Sequence, residues 1–330
     1  MLLHQNRKGL STARQGYLYL APFVLLFFAF GLFPLIYSAV ISLSDARLQN
    51  PSGGEFVGLE NYTALFADQF FWNALKNTVT LGFMAIGPQL VIALVVANLL
   101  NYRLKGQLFW RIAIIVPYAT SVAAATLIFS QLYSENFGLV NGFLTTLGLP
   151  AVNWQSGTFA SQVAIASIVT WRWVGYNALL YLAAMQAISP EQYEAAELDG
   201  ASKFRQFLSI TIPEIRGTIV FTVILSTIGG MQLFIEPLLY EGGPTGMSGG
   251  LSRQYQTLAL YMYQQGWANN RLGYGSAIAF TTLVLILVVL AAGFLLVRLG
   301  RALSDANIRR ARTQASLVAS HPEPARMELA

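Results

Sequence analysis

The sequence contains no cysteine and only two histidines, and few of its side chains carry a charge. Without cysteine there can be no disulfide, no thiolate metal site and no cysteine catalysis. His4 and His321 lie near the two ends of the chain, so we expect no histidine cluster and no metal site. Charged residues make up 11% of the 330 residues, whereas soluble domains carry roughly 25%. This composition argues against a water-soluble globule and against a disordered chain, which would be polar and highly charged.

Hydrophobic side chains are abundant and account for 55% of the residues. They form long runs without charge, and a helix needs about 20 such residues to cross a bilayer. Because helices satisfy their own backbone hydrogen bonds in lipid and period-2 strand patterning is absent, we predict an all-α integral membrane protein. The six predicted transmembrane helices are residues 17–43, 77–101, 110–133, 160–188, 217–241 and 274–298.

Lysine and arginine are distributed unevenly between the two sides of these helices. Most of them fall in the terminal segments and in the loops after the second and fourth helices, and such basic segments stay in the cytoplasm. We therefore predict a cytoplasmic N-terminal tail (1–16), a six-helix domain (17–298) and a cytoplasmic C-terminal tail (299–330). The first apolar run is too long for a signal peptide, so we expect it to remain as an uncleaved helix.

One cytoplasmic loop, residues 189–216, has the pattern of two short helices separated by a turn. Ser189 is a favourable N-cap, and Pro190 suits the first helical position. Gly200 can end this helix in a left-handed conformation, with a second short helix after it, and Pro213 precedes the fifth span. The sequence predicts a compact projection from the membrane, although an ordinary solvated loop without a partner is an equally good interpretation of these features alone.

This loop resembles the EAA motif of the permeases of binding-protein-dependent ABC importers. The matching residues are Glu194, Ala195, Ala196, Gly200, Ile210, Ile212 and Pro213. Their spacing is that of the motif, and the one departure is Ile212, where leucine is usual. Other segments resemble the carbohydrate-uptake branch typified by the maltose permeases, and residues 231–263 are similar to permeases for cellobiose and other β-glucosides. These other segments are Val57–Tyr62, Phe71-Trp72, Asn77-Thr78, Gly138–Asn141 and Gly242–Pro244.

The resemblance implies a type I ABC importer permease fold in the cytoplasmic membrane of a bacterium or archaeon. The partners that it implies are a second, different permease that forms a heterodimer with this chain, two copies of a cytoplasmic ABC ATPase and an extracytoplasmic sugar-binding protein. Membrane lipid is also an expected partner, and nucleic acid is not. The implied ATPase-coupling residues are Glu194, Ala195, Ala196, Asp199, Gly200 and Pro213. Since the chain has no Gly-x4-Gly-Lys-Ser/Thr phosphate loop, we expect ATP and Mg²⁺ on the ATPase and no enzyme activity in this chain.

Polar and aromatic side chains recur every four residues on the fourth and fifth predicted helices. They are Trp173, Asn177 and Tyr181 on the fourth helix, and Gln232, Glu236 and Tyr240 on the fifth. Residues at this spacing share one helical face, so we predict that the two stripes line the substrate pathway. Charges within a membrane are costly and usually functional, and we expect Arg172 to pair with Glu236.

Simpler interpretations exist for several of these residues. Tyr240 could be an anchor at the membrane interface, Gln232 could bond a neighbouring helix, and Arg172 could stabilise a subunit interface. On the third predicted helix, Tyr118, Ser121 and Gln131 are weaker candidates for the pathway.

Three other functions compete with the import of a disaccharide or short oligosaccharide. A membrane-embedded enzyme would need clustered catalytic side chains, which the sequence lacks. An ion-driven secondary carrier commonly has inverted repeats and membrane acids, and it would leave the cytoplasmic projection unexplained. An ABC permease for phosphate, amino acids or peptides would share the EAA motif but not the carbohydrate-branch segments. We therefore predict a sugar permease.

Overall fold

The computed structural model describes residues 6–51, 54–102 and 105–320, most of which are helical. The helices are α1 (Asn6–Phe27), α2 (Phe33–Ser42), α3 (Glu60–Ala67), α4 (Gln69–Asn101), α5 (Gln107–Ala119), α6 (Val122–Leu132), α7 (Leu139–Thr146), α8 (Thr158–Met185), α9 (Pro190–Leu198), α10 (Lys203–Gln206), α11 (Ile212–Glu214), α12 (Arg216–Met231), α13 (Ile235–Glu241), α14 (Gly243–Ser248), α15 (Leu258–Tyr263) and α16 (Leu272–Ser320). A π-helical turn, Phe28–Leu32, joins α1 to α2, another, Phe207–Thr211, joins α10 to α11, and a third, Gln264–Ala268, follows α15.

Several helical segments are long and apolar enough to cross a membrane. Four qualify on their own, namely Tyr19–Ser42, Gln69–Asn101, Thr158–Met185 and Leu272–Leu295. Two bent pairs qualify jointly: α5 with α6, at 92°, and Lys203–Glu214 with α12, at 71°. The described residues therefore hold up to six spans, in the order that the sequence predicts, and the all-α prediction is confirmed.

The limits of the spans differ from the predicted ones at several places. α4 begins at Gln69 rather than at 77, because Asp68 caps it by accepting a hydrogen bond from the Phe70 amide at 2.8 Å. The third span is not one straight helix, since it bends after Pro117, and the fifth is interrupted between α12 and α13. Helix also continues into both predicted tails, from Asn6 and as far as Ser320. The outermost tail residues, 1–5 and 321–330, lie outside the described residues.

Helices α4 and α8 form the centre of the packing within residues 1–282. Their C-terminal halves pack together with Ile215, beside α9–α11, and we call this the loop end. Their N-terminal halves pack with Leu233, Tyr240 and Tyr255, and we call this the cap end. Alanines on both helices, such as Ala93 in α4, are fully buried, and small side chains allow membrane helices to approach closely.

Buried amides fix the segment after α14 to the cap end of α4. Asn77 Nδ2 donates to the Arg253 carbonyl at 2.8 Å, and Gln162 Nε2 donates to Asn77 Oδ1 at 3.1 Å. The Thr78 hydroxyl accepts a hydrogen bond from the Leu258 amide at 2.8 Å. Asn77 and Thr78, which belong to a segment singled out in the sequence, therefore hold the fold together at this end.

Asp68 is a second anchor at the cap end. One of its oxygens accepts hydrogen bonds from the hydroxyls of Tyr261 and Tyr274, while the other caps α4. Burial acts to raise the pKa of Asp68, but the hydrogen bonds from Tyr261, the Phe70 amide and Tyr274 outweigh it and hold the pKa below its usual value. The carboxylate is thus charged and fully engaged in structural contacts.

Candidate functional site

A polar cavity lies among α4, α8, α12 and α13, where the fifth span is interrupted. Its volume is about 290 Å³. The polar and aromatic side chains that line it are Gln89, Arg172, Trp173, Ser226, Gln232 and Glu236. A small cavity with a few convergent polar groups and an aromatic wall is the usual form of a small-molecule site.

The interruption of the fifth span is held by contacts from other parts of the chain. Gly230 approaches α4 so closely that a Cβ atom there would lie 2.7 Å from Ile86 Cδ1. The Leu233 carbonyl, which is free of the helical ladder, accepts a hydrogen bond from the Thr257 hydroxyl at 2.6 Å. Because a carbonyl left unpaired inside the protein would be costly, this bond stabilises the break that opens the cavity.

Arg172 and Glu236 form the ion pair that the sequence predicts. Arg172 Nη1 lies 3.4 Å from Glu236 Oε1, and the two side chains are 12% and 7% exposed. Arg172 Nε has no hydrogen-bond partner among the described residues. These two are the charged residue types among the residues lining the cavity, and their formal charges cancel.

Removing one partner of this pair should destabilise the protein strongly. In Glu236→Gln, the Arg172 guanidinium stays buried without a counter-charge, and breaking a buried pair in this way costs about 3–5 kcal/mol. The double variant Arg172→Gln/Glu236→Gln should recover much of this loss, because neither charge remains. Thermal unfolding of the unaltered protein, Glu236→Gln, Arg172→Gln and the double variant measures the coupling. A double variant whose loss of stability equals the sum of the losses in the two single variants would contradict it.

Three aromatic rings stand beside the ion pair, at the bend of the third span. Trp173, on the cavity wall, packs edge to face against Tyr118 with ring centroids 5.2 Å apart. Tyr118 in turn stacks on Tyr176 at 4.8 Å. The bend after Pro117 places the end of α5 against α8 and so brings Tyr118 into this cluster.

The structure divides the predicted pathway residues into two groups. Those lining the cavity are Trp173, Gln232 and Glu236. Asn177 is buried, and the Tyr181 hydroxyl lies 2.6 Å from Thr222 Oγ1, so both belong to the packing of α8. Tyr240 is buried as well and donates a hydrogen bond to the Trp154 carbonyl at 3.1 Å, so it is not an anchor exposed at an interface. The regular stripe of α8 thus begins in the cavity and continues into the core.

Two polar residues that line the cavity, Gln89 and Ser226, were not predicted from the sequence. Gln89 Nε2 donates to Ser226 Oγ at 3.1 Å, which joins α4 to α12 across the cavity wall. The available signal was a single amide in the middle of the long apolar run of α4, where a polar side chain needs a partner. Tyr176, which stacks on Tyr118 beside the cavity and does not line it, was also missed, because it lies outside the four-residue repeat of its helix.

The loop that resembles the EAA motif is a helical projection at the loop end. Ser189 occupies the N-cap position of α9, but its side chain makes no capping hydrogen bond. Gly200 has φ of +74°, as predicted, and the Ala201 amide donates to the Ala196 carbonyl at 2.9 Å. This is the hydrogen-bond pattern of a helix that ends through a left-handed residue.

The predicted second helix of the loop is a short α-helix that continues as a π-helical turn. α10 spans only Lys203–Gln206, and Tyr193 in α9 is tied to Thr211 in the turn by hydroxyls 2.8 Å apart. Glu197 forms an ion pair with Lys203. The hydrogen bond from Lys203 lowers the pKa of Glu197, but such an exposed pair adds little stability.

The outer surface of this loop exposes apolar side chains as well as the motif. Leu198 is 90% exposed and Phe204 is 71% exposed, while Glu194 and Ala195 are also exposed and Ala196 is half-buried. Large apolar side chains on a projecting surface are typical of a contact with another protein. This favours a docking surface over a solvated loop without a partner.

Residues 89–305 match the family model described as "Binding-protein-dependent transport system inner membrane component". The chain is 37% identical to the arabinooligosaccharides transport system permease protein AraP of Bacillus subtilis (strain 168), covering 83% of this chain and 85% of that protein. It is 36% identical to the lactose transport system permease protein LacF of Rhizobium radiobacter, covering 75% and 82%.

The fold is similar to that of a solved membrane transporter. The TM-score is 0.74 over 89% of this chain and 99% of a chain from a bacterial ABC transporter involved in the import of the acidic polysaccharide alginate, at 21% sequence identity. At this identity the likeness concerns the fold, and it agrees with the arrangement of helices described above.

Proposed function

The chain belongs to the family of binding-protein-dependent transport system inner membrane components, and from this premise we propose that it is the permease of an ABC importer for a disaccharide or short oligosaccharide. The observation that carries the proposal is the exposed α9–α10 loop, which has the spacing of the EAA motif and a left-handed Gly200. As a multi-pass protein of the inner membrane, the chain would have its loop end and both termini in the cytoplasm, in agreement with its basic residues.

The loop end would bind one of two ATPase copies, and a second permease would complete the pathway. ATP and Mg²⁺ would bind the ATPase, since this chain lacks a phosphate loop. The path from loop to cavity is short and continuous: Lys203–Glu214 leads through a 71° bend into α12, and α12 carries Ser226 on the cavity wall. A movement of the loop on ATP binding would therefore move α12 and change the cavity.

The cavity suits a neutral sugar better than an acidic one. Arg172 is neutralised by Glu236, so no net positive charge is left to balance a carboxylate or sulfonate on the cargo. Gln89, Gln232 and Ser226 offer both hydrogen-bond donors and acceptors, which sugar hydroxyls require. The relatives named for lactose and arabinooligosaccharides support a sugar cargo, which an extracytoplasmic binding protein would deliver to this chain.

Co-purification is the test of the importer class. The chain is tagged in its native membrane, extracted gently, and its companions are identified; we expect an ABC ATPase and a second permease. In proteoliposomes with the binding protein, neutral oligosaccharides should stimulate ATP hydrolysis. Stimulation by phosphate, amino acids or peptides alone would instead favour the non-sugar permease, and a chain that repeatedly purifies alone would favour the ion-driven carrier.

The cavity itself is tested by two substitutions with a matched control. Gln232→Ala removes an exposed amide, and the loss of one hydrogen bond worth about 0.5–1.5 kcal/mol should weaken sugar transport roughly 2–10-fold. Trp173→Ala should have a larger effect because it removes the aromatic wall. The control is Trp171→Ala, which alters the neighbouring tryptophan on an apolar groove between α4, α5 and α8.

Uptake kinetics and the yield of assembled complex are measured for all three variants. The complexes should assemble in each case, and only the two cavity variants should raise the sugar concentration needed for half-maximal uptake. If Trp171→Ala reduces uptake as much as Trp173→Ala does, or if both cavity variants transport normally, the cavity is not the sugar pathway.

A further inference from the structure

α7 presents an apolar face that no other described part of residues 1–282 covers. Leu139 and Phe143 lie four residues apart on one side of the helix, Leu147 follows four residues later at its C-cap, and Phe137 precedes them. Phe137 is 92% exposed and Phe143 is 67% exposed. Exposed apolar side chains at helical spacing form a continuous stripe, and such a stripe needs an apolar partner.

The opposite side of α7 is bound tightly to the protein. Asn141 is buried and uses all its polar atoms: its Nδ2 donates to the carbonyls of Glu135 and Val152, and its Oδ1 accepts from the Val152 amide and from Trp154 Nε1, all within 3.1 Å. Gly138 leaves no space for a side chain, since a Cβ there would lie 2.3 Å from the Ser134 carbonyl oxygen. Gly138 and Asn141 thus set which face of α7 points outward.

The chain around α7 carries no charge that would keep it in water. No lysine, arginine, aspartate or glutamate occurs from 136 to 171. The nearest carboxylate, Glu135, accepts hydrogen bonds from the Ser156 amide at 2.7 Å, the Ser156 hydroxyl at 2.8 Å and the Gln155 amide at 3.1 Å. The Ser156 amide contributes most to holding the pKa of Glu135 below its usual value, so this charge is stabilised by the loop between α7 and α8.

α7 also lies close to the membrane along the chain. It follows the bent span α5–α6 after residues 133–138, which reach at most about 20 Å even when fully extended, and it precedes the span α8. Apolar exposed side chains continue from α7 onto these spans, at Ile128 on α6 and Phe159 on α8. Along the chain, α7 therefore lies between two spans that also expose apolar side chains.

We propose that α7 lies in the membrane–water interface at the cap end, with Leu139, Phe143 and Leu147 inserted among the lipid chains. Interfacial helices of this kind bury their apolar face about 5–10 Å into the boundary between headgroups and acyl chains. Asn141, which is hydrogen-bonded to Val152 and Trp154, then holds this part of the loop between α7 and α8 at the membrane surface. This proposal is independent of the cargo.

The absence of cysteine makes a direct measurement possible, because a single introduced cysteine carries the only label. We would spin-label Phe143→Cys and, as the matched control, Thr145→Cys, in the assembled complex reconstituted in liposomes. Thr145 is exposed and lies about 200° around the same helix. Collision rates with oxygen, which concentrates in lipid, and with a water-soluble nickel complex are compared at the two positions.

The label at position 143 should collide more often with oxygen than with nickel, and the label at 145 should show the reverse. If position 143 is as accessible to nickel as position 145, α7 stands in water and the proposal is wrong. If position 143 is immobile and shielded from both reagents, a protein covers the face instead, and the proposal is equally wrong. Leu139→Cys repeats the measurement should the first variant fail to assemble.

Discussion

Gly175→Ala is expected to destabilise the protein by about 3 kcal/mol or more, at or above the upper end of what overpacking usually costs. Gly175 lies where α8 crosses α5, and a Cβ atom there would be 1.6 Å from the Ile114 carbonyl oxygen and 2.5 Å from its carbon. Both atoms belong to the backbone, so no side-chain rotation can relieve the clash. The two helices would have to move apart, and the bend that places Tyr118 against Trp173 would move with them.

A glycine elsewhere in the chain serves as the control. Gly293 lies inside α16, and nothing stands within 4 Å of a Cβ atom built there. Gly293→Ala should be neutral or should stabilise the helix by up to about 1 kcal/mol, since alanine is the better helix former. The yield of monodisperse protein after extraction and the midpoint of thermal unfolding are compared. A Gly175→Ala protein with the unfolding midpoint of the unaltered chain would show that α5 and α8 do not cross this closely.

The number and order of the spans could be predicted from the sequence, because both depend on which segments are too apolar to be stable in water. A run of apolar residues without charge has no stable place in water, so each run marks a helix whatever its neighbours are. The pairing of Arg172 with Glu236 follows the same principle, since a charge inside a membrane needs a partner. The left-handed turn at Gly200 is equally local, because glycine is the residue that tolerates it.

The breaks in the spans could not be predicted, because distant contacts hold them. Nothing in the residues around Leu233 indicates that its carbonyl will be bonded by Thr257. Pro117 does precede the bend of the third span, whereas Pro88 lies inside the uninterrupted helix α4. A proline weakens a helix at both places, and the surrounding packing decides whether the helix bends there.

The extent of the candidate site could not be predicted either, because it also depends on contacts between residues far apart in sequence. A four-residue repeat places Trp173, Asn177 and Tyr181 on one side of α8, but it does not say how far along that side the cavity extends. Tyr181 is hydrogen-bonded to Thr222 on α12 and does not line the cavity. The wall formed by Gln89 and Ser226 comes from two helices far apart in sequence. The lone amide in α4 indicated that Gln89 needs a partner, but no pattern within α4 could have predicted that Ser226 is that partner.

Gly200→Val should reduce sugar uptake by about 5–150-fold, the range that a coupling free energy of 1–3 kcal/mol gives. A β-branched residue cannot adopt φ of +74° without strain, so the end of α9 will change its direction. The space around Gly200 is open, so the change should leave the membrane spans intact. What it alters is the surface formed by Leu198, Phe204 and the motif, through which we propose that the ATPase acts.

Gly106→Val separates this effect from backbone strain. Gly106 has φ of +70°, and a Cβ atom there also meets open space. It precedes α5, on a loop that also follows the C-terminal end of α4, so it carries the same strain without belonging to the α9–α10 loop. We expect Gly106→Val to transport at close to the normal rate.

Complex yield, ATP hydrolysis and sugar uptake together show how Gly200→Val acts. A complex that loses its ATPase points to docking, and an intact complex whose hydrolysis no longer depends on sugar points to transmission through Lys203–Glu214 into α12. Either outcome supports a coupling role for the loop, provided that Gly106→Val still transports. Equal losses of uptake in Gly200→Val and Gly106→Val would mean that strain in any loop beside the membrane is enough to stop transport. The assignment of coupling to the α9–α10 loop would then fail.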